Sequence, residues 1–336
     1  FSIMDPNNII ILTAVYNDWE AFKRFLVAVD EIMAKHKYTV SIMVVDDGSP
    51  TFADEEDFSL THLTAISKVT SITMTRNLGN QRAIAIGLGY IARNIDCGHL
   101  VIMDSDLEDL PDYIPQLIET AKTETNHIVF ADRTSRPNGY LFMLFYHLYK
   151  RLYKLSTGMS ISMGNFSVIP GRLVRRVAGI SEIWNHFPAG IMRAKIPFKT
   201  IPSERGERAF GKSKMNLVSL VIHGLSGLAA HADVVVIRAV LGIIALGLLV
   251  SSLIVLLLLQ NIFDDNMFYS WTLQIVTVLG GTVLQIFIAA IVIVFLILVW
   301  RHQKLVVPSV DYDDYVLDVV DLECLDNSSK KKDNII

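Results

Sequence analysis

The stretch His99–Asp109 reads HLVIMDSDLED, a short apolar run stopped by three carboxylates, Asp104, Asp106 and Glu108, set two residues apart. Alternate residues at the end of a strand point to one side, so this spacing predicts acids that converge. Convergent carboxylates raise one another's pKa and are best accommodated around a divalent cation, Mg2+ or Mn2+. A solvated strand-to-helix loop is the other reading of the same residues. Further polar clusters follow apolar runs: Tyr16-Asn17-Asp18, Asp46-Asp47-Gly48-Ser49 and Arg76-Asn77-Leu78-Gly79. Asp46 and Asp47 can accept hydrogen bonds from a base or ribose, while Asp104 and Asp106 hold a metal that bridges a diphosphate. A nucleotide diphosphate fits the set, although each cluster alone also reads as an ordinary turn.

Two basic segments complement these acids. Asp132-Arg133-Thr134-Ser135-Arg136 offers Arg133 and Arg136 to a diphosphate, with surface ion pairs as the alternative. Ser203–Met215, SERGERAFGKSKM, gathers Arg205, Arg208, Lys212 and Lys214 around Gly211 and Ser213. Arginine binds phosphate through two parallel hydrogen bonds and lysine acts as a mobile point charge, so this loop suits a phosphate clamp. A juxtamembrane cluster that greets anionic head groups is the alternative.

The elements that must position these residues are legible in the hydrophobic pattern. Apolar runs at 9–15, 40–45, 71–75, 100–103 and 127–131 read as strands, and 19–35 and 81–93 read as helices by their 3.6-residue spacing. Strands alternating with helices predict an α/β domain with a doubly wound, mostly parallel sheet. Ligands bind such sheets at the carboxyl ends of the strands, where the polar clusters fall. Residues 140–155, YLFMLFYHLYKRLYKL, predict an amphipathic helix with basic residues opposite an aromatic face, suited to a membrane interface; burial in a soluble core is the alternative.

Apolar residues make up 51% of the 336-residue chain and are concentrated after residue 233. Runs at about 239–259 and about 272–300 are each long enough to cross a bilayer. The turn between them lacks Lys and Arg, whereas Arg238 precedes the first run and Arg301, His302 and Lys304 follow the second. That asymmetry predicts a transmembrane hairpin, residues 234–304, with both ends cytoplasmic. The predicted boundaries are a head over 1–215, a juxtamembrane amphipathic helix over 216–233, and an acidic tail over 305–336, of which the part to about Leu325 is expected to be a short element packing on a neighbouring subunit and the last residues disordered. No basic-then-apolar leader opens the chain, so the head is expected in the cytoplasm. The spans carry no acid or base of the kind that marks transport. A net charge of −4 argues against nucleic acid as a partner, and two distant cysteines, Cys97 and Cys324, argue against a disulfide framework or a zinc site.

Taken together and in order, residues 11–18, Val-Asp-Asp-Gly-Ser at 45–49, Arg-Asn-Leu-Gly at 76–79 and Met-Asp-Ser-Asp-Leu-Glu-Asp at 103–109 resemble family-two glycosyltransferases of the GT-A fold. The branch they are most similar to is that of the polyisoprenyl-phosphate glycosyltransferases, the dolichyl-phosphate mannose synthase and GtrB-like enzymes. The resemblance covers about residues 8–300. It implies that Asp47 contacts the nucleoside, Asp104 the ribose or metal, and Asp106 the metal directly. It also implies that the 203–215 loop closes over the donor diphosphate and the lipid phosphate, and a homo-oligomer such as a tetramer. Two positions depart from the family pattern. Glu108 stands where Gln is usual, and Asn165 where an acid is usual. An amide cannot act as a base, but a lipid phosphate is already ionised near neutral pH, so Asn165 is expected to orient acceptor or sugar, with an ordinary turn residue as the alternative reading.

The sequence therefore predicts a metal-dependent, inverting transfer of a sugar from a nucleotide-diphosphate sugar to a polyisoprenyl phosphate, undecaprenyl or dolichyl, at the cytoplasmic face of a membrane, bacterial inner membrane being the expectation. Asp104, Asp106, Arg205, Arg208 and Lys214 are the expected catalytic residues. Tyr16, Asn17, Asp46, Asp47, Arg76, Asp104 and Arg133 are expected at the donor, and Arg136, Asn165, Arg205, Arg208, Ser213 and Lys214 at the acceptor phosphate. Glu108 is expected to join Asp104 and Asp106 at the metal. UDP-glucose or a related UDP-sugar is the working expectation for the donor. A processive polysaccharide synthase and a non-catalytic nucleotide-binding scaffold are the alternatives.

Overall fold

A computed structural model describes residues 8–50, 62–133, 140–160, 163–206, 224–263, 269–301 and 305–322. Arg136, Arg208, Ser213 and Lys214 lie outside the described residues, as does most of the juxtamembrane helix expected over 216–233. The chain divides into two compact units, one from segments within 1–147, 161–230 and 306–336 and the other from 148–160 and 231–305.

The first unit is built on an eight-stranded sheet. Its strands are β1 (Ile9–Val15), β2 (Val40–Asp46), β3 (Ile66–Met74), β4 (His99–Ile102), β5 (Ile128–Arg133), β6 (Ser167–Pro170), β7 (Phe198–Ser203) and β8 (Val316–Leu322), in the order β7-β5-β6-β4-β1-β2-β3-β8. The block β4-β1-β2-β3 is parallel, as is the pair β5-β7, while β6 runs antiparallel to both its neighbours and β8 antiparallel to β3. The chain builds β2 and β3 to one side of β1 and β4 to the other, which places a topological switch point between β1 and β4.

Both faces of the central strands are covered, which explains why they read as continuous β-branched runs rather than alternating ones. Ile9 and Ile11, with Val40, Ile42 and Val44, belong to one buried cluster with Phe22, Phe25, Leu26, Val29 and Met33 of helix α1 (Trp19–Lys35). On the other face, helix α2 (Asn80–Asn94) comes so close that a Cβ at Gly87 would lie 2.5 Å from Leu12 Cδ1 and 2.7 Å from Val45 Cγ2. Helix α3 (Ile114–Thr123) buries Leu117, Ile118 and Ala121 in the first cluster. Strand β3 begins five residues before its expected start at Ser71. Buried Asp30 of α1 fixes that beginning by accepting the amide N–H groups of Thr64, Ala65 and Ile66.

In the second unit, two helices, Ala232–Phe263 and Tyr269–Arg301, contain apolar windows of mean hydropathy 2.8 and 2.6 at Ala232–Leu256 and Gln274–Leu296. Both are long and apolar enough to cross a membrane. Their described leucines and isoleucines, such as Leu248, Leu249, Leu256 and Ile288, face outward. Each helix extends past the run expected from sequence because backbone hydrogen bonding continues beyond the apolar stretch into Asp233 and Arg238 at one end. Helix α4 (Tyr140–Thr157) spans the predicted interfacial segment, and its described apolar residues Leu148, Leu152 and Leu155 are exposed while Tyr153 is buried. Arg238 Nη1 donates to the Leu155 carbonyl at 2.9 Å, tying the end of α4 to the first long helix.

The tail completes this chain's own sheet. Short helix Pro308–Asp311 lies against α2, with Pro308 O only 2.2 Å from where a Cβ at Gly89 would sit, and β8 then pairs with β3 from Val69↔Leu322 to Met74↔Val316. Asp321 accepts the Thr70 hydroxyl at 2.8 Å and pairs with Lys68 Nζ at 2.8 Å, so one tail acid is a cross-strand partner. The Tyr315 carbonyl accepts Thr75 N–H at 2.9 Å, and the Tyr315 ring lies 4.9 Å from that of Trp184, whose face carries the Arg82 guanidinium at 5.5 Å. Removing residues 306–322 leaves β3 as a bare edge with unpaired N–H and C=O groups. Such a truncation is expected to self-associate, read by size-exclusion chromatography in detergent as loss of the parent's single peak.

Candidate functional site

All the described polar clusters fall at one end of the sheet. Tyr16 and Asn17 follow β1, Asp47 follows β2, Arg76 follows β3 and Asp104 and Asp106 follow β4; Asp46 and Arg133 close β2 and β5, and Arg205 lies just past β7. These strands are parallel in direction, and Asn165 precedes β6, the strand that runs the other way. The topology therefore brings to one edge every described residue expected from sequence.

The ends of β1 and β2 are knitted together. Asp46 Oδ1 accepts the Ser49 amide at 2.9 Å, the Ser49 hydroxyl accepts the Asn17 amide at 2.8 Å, and Asp47 N–H donates to the Val15 carbonyl at 2.9 Å. Asn17 takes the left-handed conformation that Asn tolerates, with φ 48°, and half-exposed Tyr16 precedes it. Gly48 is required: its φ is 69°, and a Cβ would lie 2.6 Å from the Arg76 carbonyl carbon.

Asp47 is 3% exposed, and its two oxygens accept the amides of Leu78 at 2.7 Å and Gly79 at 2.8 Å. This carboxylate thus holds the 76–79 loop on which exposed Arg76 stands. Burial pushes the Asp47 carboxyl up to about 6, against the pull of those amides. Below that pH it gains a proton and loses acceptor capacity, so the Leu78 and Gly79 amide resonances are expected to titrate with a midpoint near 6. The folded value lies above the ~3.9 of an unfolded chain. Its contribution to stability is therefore complete below about pH 4 and is lost as pH rises through about 6, and Asp47→Asn removes both titrations.

The first residues of α2 join the two halves of the edge. Asn80 Nδ2 donates to Asp104 Oδ1 at 3.0 Å, and Gln81 Nε2 donates to Asn165 Oδ1 at 2.9 Å. Gln81 Oε1 in turn accepts the amide of Phe187, first residue of helix α6 (Phe187–Arg193; α5, Gly171–Ala178, precedes it) at 2.7 Å. Asn165 is thereby held by an amide donor, a partner that suits its carbonyl oxygen. Asn80 and Gln81 carried no signal in the sequence beyond helix entry, because their roles depend on residues far along the chain.

Past β4 the strand alternation does not continue. Ser105 donates to the Ala14 carbonyl at 3.2 Å and Asp106 Oδ1 accepts the Glu108 amide at 3.1 Å, while Leu107 sits in the left-handed region at φ 62°. That turn sends Glu108 away to an ion pair with Arg205. In this structure the Glu108 carboxylate pairs with Arg205 rather than grouping with Asp104 and Asp106. Among the described residues no three His, Cys, Asp or Glu side chains group to hold a metal ion. Two carboxylates still fit Mg2+ or Mn2+, which are held by one or two carboxylates when substrate phosphates supply further oxygens.

Asp109 was not singled out from sequence, yet it is the most constrained acid of the edge. It is 3% exposed, and its Oδ1 accepts Arg133 Nη2 at 2.6 Å and Nε at 3.1 Å, leaving Oδ2 buried without a hydrogen bond. Burial and the Asp104 charge push its carboxyl upward, against the stabilising Arg133 guanidinium. Its backbone bridges to that of Arg205, and the Gly206 amide donates to the Glu108 carbonyl at 3.0 Å. The Asp109–Arg205 backbone bridge and the Glu108–Arg205 ion pair thus fasten the start of the basic 203–215 segment to the acidic turn after β4, while Asp109–Arg133 ties the end of β5 to the same turn.

A family model described as glycosyl transferase family 2 matches residues 10–184, just over half of the 336-residue chain. The chain is 27% identical over 286 residues to the uncharacterized glycosyltransferase YkcC of Bacillus subtilis (strain 168), covering 82% of this chain and 85% of that one. It is 27% identical to the undecaprenyl-phosphate 4-deoxy-4-formamido-L-arabinose transferase of Sodalis glossinidius (strain morsitans), over 65% of this chain and 66% of that one. To the bactoprenol glucosyl transferase of Shigella phage SfV it is 29% identical, over 64% and 70%. Glucosyl-3-phosphoglycerate synthase from Mycobacterium tuberculosis, solved with Mn2+, UDP and glucosyl-3-phosphoglycerate, aligns with a TM-score of 0.44 at 14% identity, over 68% of this chain and 79% of that one. The matched region holds the strand ends after β1 to β4 and the acidic turn at 104–109, so the motifs read from the sequence and the family match coincide: this chain is a glycosyltransferase and belongs to glycosyl transferase family 2.

Proposed function

We propose that this enzyme transfers a sugar from a nucleotide-diphosphate sugar to a polyisoprenyl phosphate at the cytoplasmic face of a membrane, with inversion at the anomeric carbon. The observation that carries the reading is the gathering of Asp47, Asp104, Asp106, Arg133 and Arg205 at one end of a sheet in a chain that also carries two helices long enough to span a bilayer. Two relatives support the acceptor, since one is named for undecaprenyl phosphate and the other for bactoprenol. Their names differ in the sugar, so the sugar rests on the donor pocket alone, with UDP-glucose or a related UDP-sugar as the first donor to try.

In this reading a phosphate oxygen of the lipid forms a bond to the anomeric carbon while the bond from that carbon to the diphosphate oxygen breaks, releasing a nucleoside diphosphate. The lipid phosphate is already ionised near neutral pH, so no general base is required, and Asn165 serves to orient. Asp104 and Asp106 would hold a divalent cation, which would supply charge stabilisation to the departing diphosphate. The loop held by Asp47 lies against the nucleoside. Arg205 and the basic residues after it neutralise the repulsion between two phosphate-bearing substrates, once Arg205 exchanges Glu108 for phosphate.

Incubating the purified full chain with nucleotide sugars, Mg2+ and a short polyprenyl phosphate tests this. One sugar per lipid is the expected product. A polymer would instead establish a processive synthase, and no product with any donor would overturn the proposed reaction.

A further inference from the structure

A second charged feature lies away from the strand carboxyl ends. Arg93, in the last turn of α2, and Arg172, Arg175 and Arg176 on α5 are all exposed. The ion pairs among the described residues engage other cations, such as Lys122, Arg133 and Arg193, and none of these four. Residues 172, 175 and 176 share one helix face by their spacing. The chain as a whole is acidic, at −4, so this concentration is local.

Arg93 and Arg175, with Ala92 and Ser309, line a cleft of about 330 Å³ between α2, α5 and the short helix 308–311. The elements that carry these residues pack at close backbone approach. The Gly171 amide donates to the Gly98 carbonyl at 2.7 Å, and a Cβ at Gly171 would lie 1.9 Å from the Cys97 carbonyl oxygen. At Gly89 a Cβ would lie 2.2 Å from Pro308 O. Arg93 Nε donates to the Ser309 carbonyl at 2.6 Å, which orients the guanidinium and uses one of its five N–H donors. Two guanidiniums lining one cleft carry like charge, which an anion bound there would offset. Arginine's planar fork matches phosphate, and the volume is at the small end of the range for ligand clefts.

We propose that this cleft binds a phosphate-bearing anion, supplied by the head group of an anionic membrane lipid or by a free phosphate. Ser309 follows Arg301, the last residue of the second long apolar helix, by eight residues in sequence, which makes a lipid one natural source. The site is separate from the candidate active site and does not depend on which sugar or acceptor the enzyme uses.

The test uses the full chain in phosphatidylcholine nanodiscs with EDTA, following hydrogen exchange over 171–178 and 308–311. One arm adds inorganic pyrophosphate, and the other replaces part of the lipid by phosphatidylglycerol. Protection is expected in at least one arm; the phosphatidylglycerol arm alone assigns a lipid and the pyrophosphate arm a free phosphate. R93Q/R175Q is expected to weaken the effect about a hundredfold, the loss of two charge-assisted contacts. Asp106→Ala is expected to leave it unchanged. Protection in neither arm, undiminished protection in R93Q/R175Q, or protection lost in Asp106→Ala would each overturn the proposal.

Discussion

Asp106→Ala is expected to reduce sugar transfer by about a thousandfold or more while the protein stays folded and membrane-inserted, because removing one preorganised electrostatic stabiliser costs roughly 10²–10³ in rate and loss of a metal adds to that. The side chain is half-exposed, and it accepts the Glu108 amide within its own turn. Thermal unfolding of the variant should match the parent, and transfer should not return on raising Mg2+ or Mn2+. Undiminished transfer would remove the carboxylate pair from the chemistry altogether. Glu108→Gln is the informative companion. Since Glu108 pairs with Arg205, this change should act through the basic loop, altering the acceptor's KM and leaving metal dependence intact.

The second large effect is on stability. Arg133→Met should destabilise the domain by about 3–5 kcal/mol, the cost of leaving one member of a buried ion pair uncompensated. Asp109 is almost fully buried and has one oxygen without a partner, and Arg133 is the cation that answers its charge. The pH dependence follows by sign. Without Arg133 the Asp109 carboxyl moves further above its unfolded value, so the variant recovers stability as pH falls through that raised value and loses it as pH rises. A second change, Asp109→Leu, should restore much of the loss at neutral pH by removing the stranded charge. Chemical denaturation of parent, single and double variants in the same detergent measures all three quantities.

Much of this protein was legible in its sequence. The continuous β-branched runs, the helical spacing of 19–35 and the placement of Asp46-Asp47, Arg76 and Asp104-Ser105-Asp106 at strand ends are local properties, and periodicity reports local properties well. Apolar length likewise sufficed for the two helices long enough to cross a membrane. What failed did so where a rule was carried past its domain. Alternation placed Glu108 beside Asp104 and Asp106, but β4 ends at Ile102, and one left-handed residue, Leu107, turns residue 108 toward Arg205.

Pairings between distant segments were decided only by tertiary structure. The tail's VLDVVDL is too short and too acidic to declare a partner, and only the open edge of β3, with Lys68 and Thr70 facing Asp321, makes it an eighth strand. Asp109 reads as one more acid in a polar turn until Arg133, brought alongside by β5, encloses it. The cluster Asp104-Ser105-Asp106 itself lies between these cases. Sequence alone determined that two carboxylates end a buried strand. The fold decided that they stand beside the switch point between β1 and β4 with Asn80 on one of them, because neighbours in space are set by sheet order and not by spacing along the chain.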